Sequence, residues 1–496
     1  MNQQLKKIGI VQTAPLPGDF PNNLRSIVQG YRECLDRGAE IVITSLYALS
    51  GLAPGDLLRR RSFLKQLETA AETLAEELSL TDVPLITGYA INPLISGADD
   101  DYEDTWEADD GLLYDEDENE NEMHSSVVLM PCLIHRGNIR VLSDSVSSTI
   151  GPFLCHVTCS GEESLPEGEV DLIIHLPESP WYNLSAEKEH QIFCWESHQS
   201  QSPVVCVHPV GTCDGKLYGG GSALYINNKI SGILPYFDSA CSTLHLNRKN
   251  KIAERELLSQ VEKALVRGIR DTVHQNGYTG VCIPMDLPNA PLLAALCTEA
   301  LGTGNVVGVS FSDVSCTGIE NKTVDASALI KEASKLLGAE ESEGLEERLK
   351  GSLAATIAGN KGLMLLSPLD RHRLMLGEFT LYGESNGYLA PLGNLYQIDL
   401  YLLNQYMAER NPDIALSIPV PEHAEEDRII HELSERNISA SDILKLRREG
   451  DEENSIRFIQ RKIIASALKR TQTPLVLYLS DPAEQLHIPI SHRMND

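Results

Sequence analysis

The amino-acid sequence predicts an α/β protein in two parts. Residues 1–246 read as an α/β sandwich, and residues 277–496 as a doubly wound parallel sheet followed by a helical C-terminal part. Two observations carry this. Short apolar runs bounded by turn residues alternate with amphipathic stretches of helical period in both parts. A polar helical stretch, 247–276, separates the parts and reads as a linker. A chain of 496 residues, 42% hydrophobic and 23% charged, has enough apolar material for two cores.

Each element follows from its own signals. IGIVQTA (8–14) is an apolar strand, and 23–37 has helical period with Gly38 as its stop. AEIVITSLYAL (39–49) reads as a buried strand running into a loop, 61–79 as an amphipathic helix and VPLITGYAI (83–91) as a strand. Further strands are expected at 125–134, 138–142, 153–159, 170–176 and 203–210, and a hairpin at 222–234 turning on Asn227-Asn228. In the second part, strand 280–284, helix 291–302, strand 305–312, helices 325–337 and 343–359 and strand 362–367 repeat the βαβ pattern of a parallel sheet.

The formal net charge of −30 argues against nucleic acid and anionic membranes as partners. Much of it is local. Within an insertion spanning 98–123, residues 99–122 hold 14 acidic side chains and no Lys or Arg. Such a segment cannot bury enough apolar surface to fold alone. It reads as a solvated insertion, or as a docking site for a basic protein partner anchored on Trp106, Leu112, Leu113 and Tyr114. Eleven scattered cysteines, without metal-ligand spacing, read as reduced thiols. No apolar run is long enough to span a bilayer, and no signal peptide is evident, so a cytoplasmic location is expected.

Specific landmarks then appear. IGIVQTAPLPGDFPNN (8–23), SGLAPGDLLRRRSFL (50–64), PESPW (177–181) and PVVCVHPVGTCDGKLYGGGSALY (203–225) resemble the nitrilase-type glutaminase domain of glutamine-dependent NAD(+) synthetases. GYTGV (277–281), EALGTGNVVGV (299–309), GEFTLYGESNGYLAPLGNLYQIDLY (377–401) and IPISHR (488–493) resemble the synthetase domain of the same family, in order. The resemblance implies a nitrilase-like first domain that hydrolyses glutamine with a Glu, Lys and Cys triad. It implies a second domain in which ATP and Mg²⁺ activate deamido-NAD for attack by ammonia. ATP would sit on a loop of sequence S-G-G-x-D-S.

The residues at those positions differ. Alignment on Ala48-Leu49-Ser50-Gly51 places Leu46 where the family has its Glu, with Ser45 for the usual Pro; no Glu occurs between Glu40 and Glu68. A leucine cannot take a proton. No lysine occurs from 66 through 187, and SDSVSSTI (143–150), where the Lys belongs, is shortened and holds no cation. His135, Arg136 and Arg140 are the nearest substitutes for its charge. Cys159 alone of the triad survives, with Ser160 after it; the bland alternative is a buried structural thiol. If 153–159 is strand, Cys155, Val157 and Cys159 share one face.

The nucleotide loop falls on Met285, Asp286, Leu287, Pro288, Asn289 and Ala290. Asp286 and Leu287 replace the glycines that let a backbone approach phosphate, and Asp286 sets a negative charge towards a polyanion. Pro288 lacks an N–H, Ala290 lacks a hydroxyl, and Asn289 is a poorer metal ligand than Asp. A second family element, T-G-N-K-S-E, aligns with Pro368, Leu369, Asp370, Arg371, His372 and Arg373; only Arg371 keeps its charge. A third, D-L-Y-K, becomes Asn394-Leu395-Tyr396-Gln397.

Apolar frame and turn glycines persist while the chemical groups change. The expected function is a catalytically inactive homologue with a scaffolding or regulatory role, with no cofactor; ATP, Mg²⁺ and deamido-NAD follow only from resemblance. The alternatives are a divergent active NAD(+) synthetase, a Cys159-dependent amidase, or a sensor that binds the dinucleotide without chemistry. Resemblance also implies a homo-oligomer.

Overall fold

The structure is a computed structural model and describes residues 4–91, 127–312, 314, 316, 318–338, 344–410, 421, 424–446 and 453–480. The acidic insertion (98–123), with its docking anchors, and IPISHR (488–493) lie outside the described residues. The chain forms two compact units. One comprises Met1–Cys213 with Tyr218–Arg255, the other Asp214–Leu217 with Glu256–Asp496.

The first unit contains β1 (Lys7–Gln12), α1 (Phe20–Asp36), β2 (Ile41–Thr44), α2 (Arg61–Glu77), β3 (Leu85–Ile91), β4 (Val128–His135) and β5 (Asn138–Val141). There follow β6 (Val146–Ile150), β7 (Phe153–Thr158), β8 (Leu172–His175), α3 (Ser185–Gln199), β9 (Val204–Cys206) and the hairpin β10 (Val210–Cys213)–β11 (Lys216–Gly219). The last strands are β12 (Ala223–Ile226), β13 (Lys229–Ile233) and β14 (Ala240–His245).

Two six-stranded sheets result, in the orders β14-β1-β2-β3-β4-β5 and β13-β12-β9-β8-β7-β6. In each, three central strands are parallel and the flanking strands antiparallel. One apolar core joins their facing sides, from Ile8, Ile10 and Ile43 of one sheet to Cys155, Val157 and Ile174 of the other. Helices α1 and α2 pack on the first sheet and α3 on the second. This is the expected α/β sandwich. The turn Asn227-Asn228 has both residues at positive φ, 49° and 62°, as a two-residue hairpin with right-handed strand twist requires.

Two elements carry no clear local signal. Within segment 143–150, Val146–Ile150 is β6, the edge strand hairpinned to β7. Its Ser and Thr residues suit an exposed edge. Helix α3 escaped notice because SAEKEHQIFCWESHQ mixes polar residues onto both faces; Glu196 and His190 are themselves buried.

The second unit contains α4 (Leu257–Gln275), β15 (Val281–Pro284), α5 (Ala290–Leu301), β16 (Val306–Ser310), β17 (Glu320–Thr323), α6 (Ser327–Leu337), α7 (Leu345–Lys361) and β18 (Met364–Leu365). Beyond lie α8 (Arg371–Leu376), β19 (Leu389–Ala390), α9 (Gln397–Arg410), α10 (Ala424–Ser434), α11 (Ala440–Leu446), α12 (Glu453–Ala465), α13 (Ala467–Arg470) and β20 (Leu475–Val476).

The stretch expected as a linker, 247–276, is no linker. Its helix starts at Leu257, buries Val261, Leu265, Ile269 and Val273, and packs on α5 and α9 inside the second unit. The main sheet has the order β17-β16-β15-β18, all parallel. Helix α7 covers the face carrying Cys282, Val307, Val309 and Leu365. The chain leaves β15 towards β16 on one side, while β18 lies on the other. Loops after β15 and β18 therefore flank a topological switch point, where open parallel sheets form a crevice. No described helix is long and apolar enough to cross a membrane.

Candidate functional site

Each unit has one place where the residues singled out by sequence meet. In the first, Cys159 sits just past the end of β7 and is partly buried, whereas Cys155 and Val157 are sealed in the core. Its backbone N–H donates to Asp144 Oδ1 at 2.7 Å. The thiol opens on a cleft of about 480 Å³ lined also by Gly161, Glu162, Glu178, Tyr182 and Lys188. Burial, then Asp144 and Glu178, push the thiol up to about 12. Such a thiol is protonated and unreactive at neutral pH.

Leu46 follows β2 and is fully buried in the sandwich core. Its carbonyl lies so near Gly88 that a Cβ there would approach within 1.8 Å, which only glycine avoids. The next residue, Tyr47, interacts electrostatically with Glu178 and Cys159, and burial raises its phenol. His135, Arg136 and Arg140 contribute nothing to the cleft. His135 Nε2 lies 3.2 Å from Asp82 O, Arg136 pairs with Asp82 at 2.8 Å, and Arg140 donates to Thr149 O at 2.6 Å.

Sequence reasoning overlooked two cleft residues. Glu178 belongs to the quoted PESPW run, and Lys188 stands one residue past the lysine-free stretch. The Lys188 ammonium lies 5.4 Å from the Tyr182 ring centroid. It also overlooked the support beneath Cys159. Buried His175 directs Nδ1 to Ser160 O and Nε2 to Glu196 Oε2, both at 2.9 Å, and Glu196 Oε1 accepts Ser164 N–H at 2.8 Å. This network holds the loop after Cys159.

In the second unit, the crevice brings together the three segments singled out by sequence. Asn289 Nδ2 donates to Asp370 Oδ2 at 2.8 Å, joining the loop after β15 to the start of α8. Arg371 N donates to Leu395 O at 2.9 Å, bringing in the segment 394–397. Asn394 Oδ1 accepts the N–H groups of Leu479 and Ser480, each at 2.7 Å.

The loop is filled by its own side chains. Met285 and Ala290 are buried, Leu287 packs on Leu369, Leu374 and Phe379, and Pro288 is exposed. The Asp286 carboxylate accepts Phe311 N–H at 3.1 Å and the Ser312 hydroxyl at 2.6 Å. Donors at the end of a parallel strand thus meet an anion supplied by the chain itself.

The cations nearby are also committed. Arg371 Nε lies 2.8 Å from Glu435 Oε1 and 3.2 Å from Tyr396 OH, all buried. Arg373 pairs with Glu384 at 2.7 Å, and His372 Nδ1 with Asp427 at 2.7 Å. Asp370 caps α8 through Arg373 N–H at 2.9 Å; burial raises its carboxyl against that bond and the one from Asn289. Pro368 and Leu369 are buried. Among the described residues, no three His, Cys, Asp or Glu side chains converge as metal ligands. A phosphate–Mg²⁺ group does not fit this crevice: its anion position holds Asp286, and Asn289 is turned to Asp370.

Residues 261–427 match the family model for NAD synthase. The chain is 24% identical over 547 aligned positions to a glutamine-dependent NAD(+) synthetase of Synechocystis sp., covering 96% of both chains. Residues 261–427 thus carry an NAD synthase domain, and nearly the whole chain is similar to glutamine-dependent NAD(+) synthetases. Another such synthetase, from Thermotoga maritima, is 22% identical, with 81% of this chain and 80% of that one covered. The fold agrees: the synthetase of this family from Cytophaga hutchinsonii superposes with a TM-score of 0.79 at 12% identity, over 98% of both chains. That from Acinetobacter baumannii gives 0.67 at 17% identity, over 94% of both. The chain therefore has the fold of these synthetases along nearly its whole length.

Proposed function

We propose that this chain is a catalytically silent member of the glutamine-dependent NAD(+) synthetase family, acting as a scaffolding or regulatory protein. The observation that carries this reading is the Asp286 carboxylate on Phe311 N–H and Ser312 Oγ, in a loop packed shut by Met285, Leu287 and Ala290. A polyanion entering there would meet a fixed negative charge and displace buried apolar side chains. Deamido-NAD, ATP and Mg²⁺ are not cofactors in this reading. In the first unit, buried Leu46 offers no base to Cys159. The protein works in the cytoplasm, and assembles with itself or with a basic partner docked on segment 99–122.

The test is NAD(+) formation from deamido-NAD, ATP and Mg²⁺, with free ammonia and then with glutamine. No product with either is expected. Product with ammonia alone would overturn the reading of the loop and leave only the first unit inactive.

A second reading, Cys159-dependent amide hydrolysis, is favoured by the 480 Å³ cleft and by Lys188 at its wall. It requires that Cys159→Ala abolish an amidase activity of the intact protein.

A further inference from the structure

Far from the Cys159 cleft in sequence, two other thiols touch. Cys34, on the last turn of α1, and Cys241, on β14, are 207 positions apart, and their sulfurs lie 3.2 Å from each other. That separation is inside the van der Waals contact of two sulfurs and within near-attack range, about 3–3.5 Å. Cys34 is sealed in the core, and its Cβ and Sγ press on Gly9, where an added Cβ would come within 2.7 Å. Cys241 is half-buried, so a small solute reaches it.

We propose that Cys34 and Cys241 form a reversible disulfide when the folded protein meets a small peroxide. Cys241 is the attacking sulfur and Cys34 the resolving one. Geometry sets this order, since only Cys241 is accessible. Charge agrees: a hydrogen bond donated by the Cys34 thiol holds Cys241 below the usual thiol range and keeps the proton on Cys34. Two charged groups face the pair from α1. Arg37, which donates to Cys241 O at 2.9 Å, favours the thiolate; Glu33, 3.4 Å from Arg37, opposes it. As a neutral thiol, Cys241 donates to Gly30 O at 3.1 Å.

The chemistry balances. The Cys241 thiolate attacks one peroxide oxygen, the O–O bond breaks, and the departing hydroxide takes a proton and leaves as water. Cys241 then carries S–OH. Cys34 loses its proton and attacks the Cys241 sulfur, forming S–S and expelling the hydroxyl as a second water. Two thiols and one hydrogen peroxide give one disulfide and two waters; sulfur loses two electrons and oxygen gains them. The product pins α1 to β14, the edge strand of the first sheet, and a bridge across so long a loop restrains the unfolded chain strongly.

The experiment treats the full-length folded protein with hydrogen peroxide, blocks free thiols with iodoacetamide and maps non-reduced peptides. The expected result is a cross-linked peptide pair containing Cys34 and Cys241 that dithiothreitol separates. The oxidised protein should melt several degrees above the reduced one. In Cys34→Ser, dimedone should trap a sulfenic acid at Cys241 that wild type resolves within seconds. In Cys241→Ser, Cys34 should stay reduced. Oxidation of Cys241 to sulfinic acid in wild type without a link would overturn the proposal. So would a link that appears only after denaturation, or another cysteine pair linking first.

Discussion

The two units treat their candidate sites in opposite ways. The first keeps an open cleft of about 480 Å³ with the Cys159 thiol at its wall, while Leu46 lies fully buried in the core. The second keeps a wealth of charge, yet commits it internally. Arg371 is bound to Glu435 and Tyr396, His372 to Asp427, Arg373 to Glu384, and Asp286 to the end of β16. An open cleft leaves its polar groups to solvent. A crevice that buries Asn289, Asp370, Arg371 and His372 has to pair them within the chain, because unpaired buried groups cost about 1–3 kcal/mol each. The second unit meets that demand with its own side chains.

The sharpest way to break this contrast is to disturb the support beneath Cys159. His175→Ala strips Oε2 of the fully buried Glu196 carboxylate of its partner and leaves only the Ser164 N–H on Oε1. It should destabilise the first unit by about 3–5 kcal/mol in urea unfolding, the cost of orphaning a buried charge. A loss under 1 kcal/mol would mean the loop holds itself.

Adding a carboxylate to the crevice should damage the second unit. Asn289→Asp sets a carboxylate against Asp370, which is already raised by burial. We expect a loss of about 2 kcal/mol, since a buried bond is replaced by like charges. The loss should shrink as pH falls and one carboxyl takes a proton. Unchanged stability would show that the crevice is not locked by this bond.

The cleft makes a smaller, chemical prediction. Below about 12, the Cys159 thiolate fraction rises tenfold per pH unit, so labelling by iodoacetamide should be about 100-fold faster at pH 9 than at pH 7. Glu178→Gln removes a charge that opposes the thiolate and should quicken labelling a few-fold at fixed pH. Fast labelling at pH 7 in wild type would favour the amidase reading. The mildest change is Asp286→Ala. The carboxylate is exposed, so removing it should cost about 1 kcal/mol or less. It should not bring thermal protection by millimolar ATP and Mg²⁺, because Met285, Leu287 and Ala290 still fill the loop.

Local pattern made much of the fold legible. Apolar runs such as IVIT and LITGYAI became β2 and β3, Gly38 ended α1 at φ 78°, and Asn227-Asn228 turned its hairpin. Local pattern failed where burial was polar or an edge was exposed. Helix α3 hides Glu196 and His190, and β17 is exposed along its length. Lys188 lies outside every quoted motif and reaches the cleft from α3.

By itself, then, the sequence determined the two α/β units, their likeness to glutamine-dependent NAD(+) synthetases and the absence of glycine and hydroxyl from the loop 285–290. These depend on residue identity and on spacing within one element. Only the tertiary structure decided that 285–290, 368–373 and 394–397 meet, and that Asp286 finds donors at Phe311 and Ser312. The ends of parallel strands that are distant in sequence become neighbours through sheet order, and no local period records which strand lies beside which.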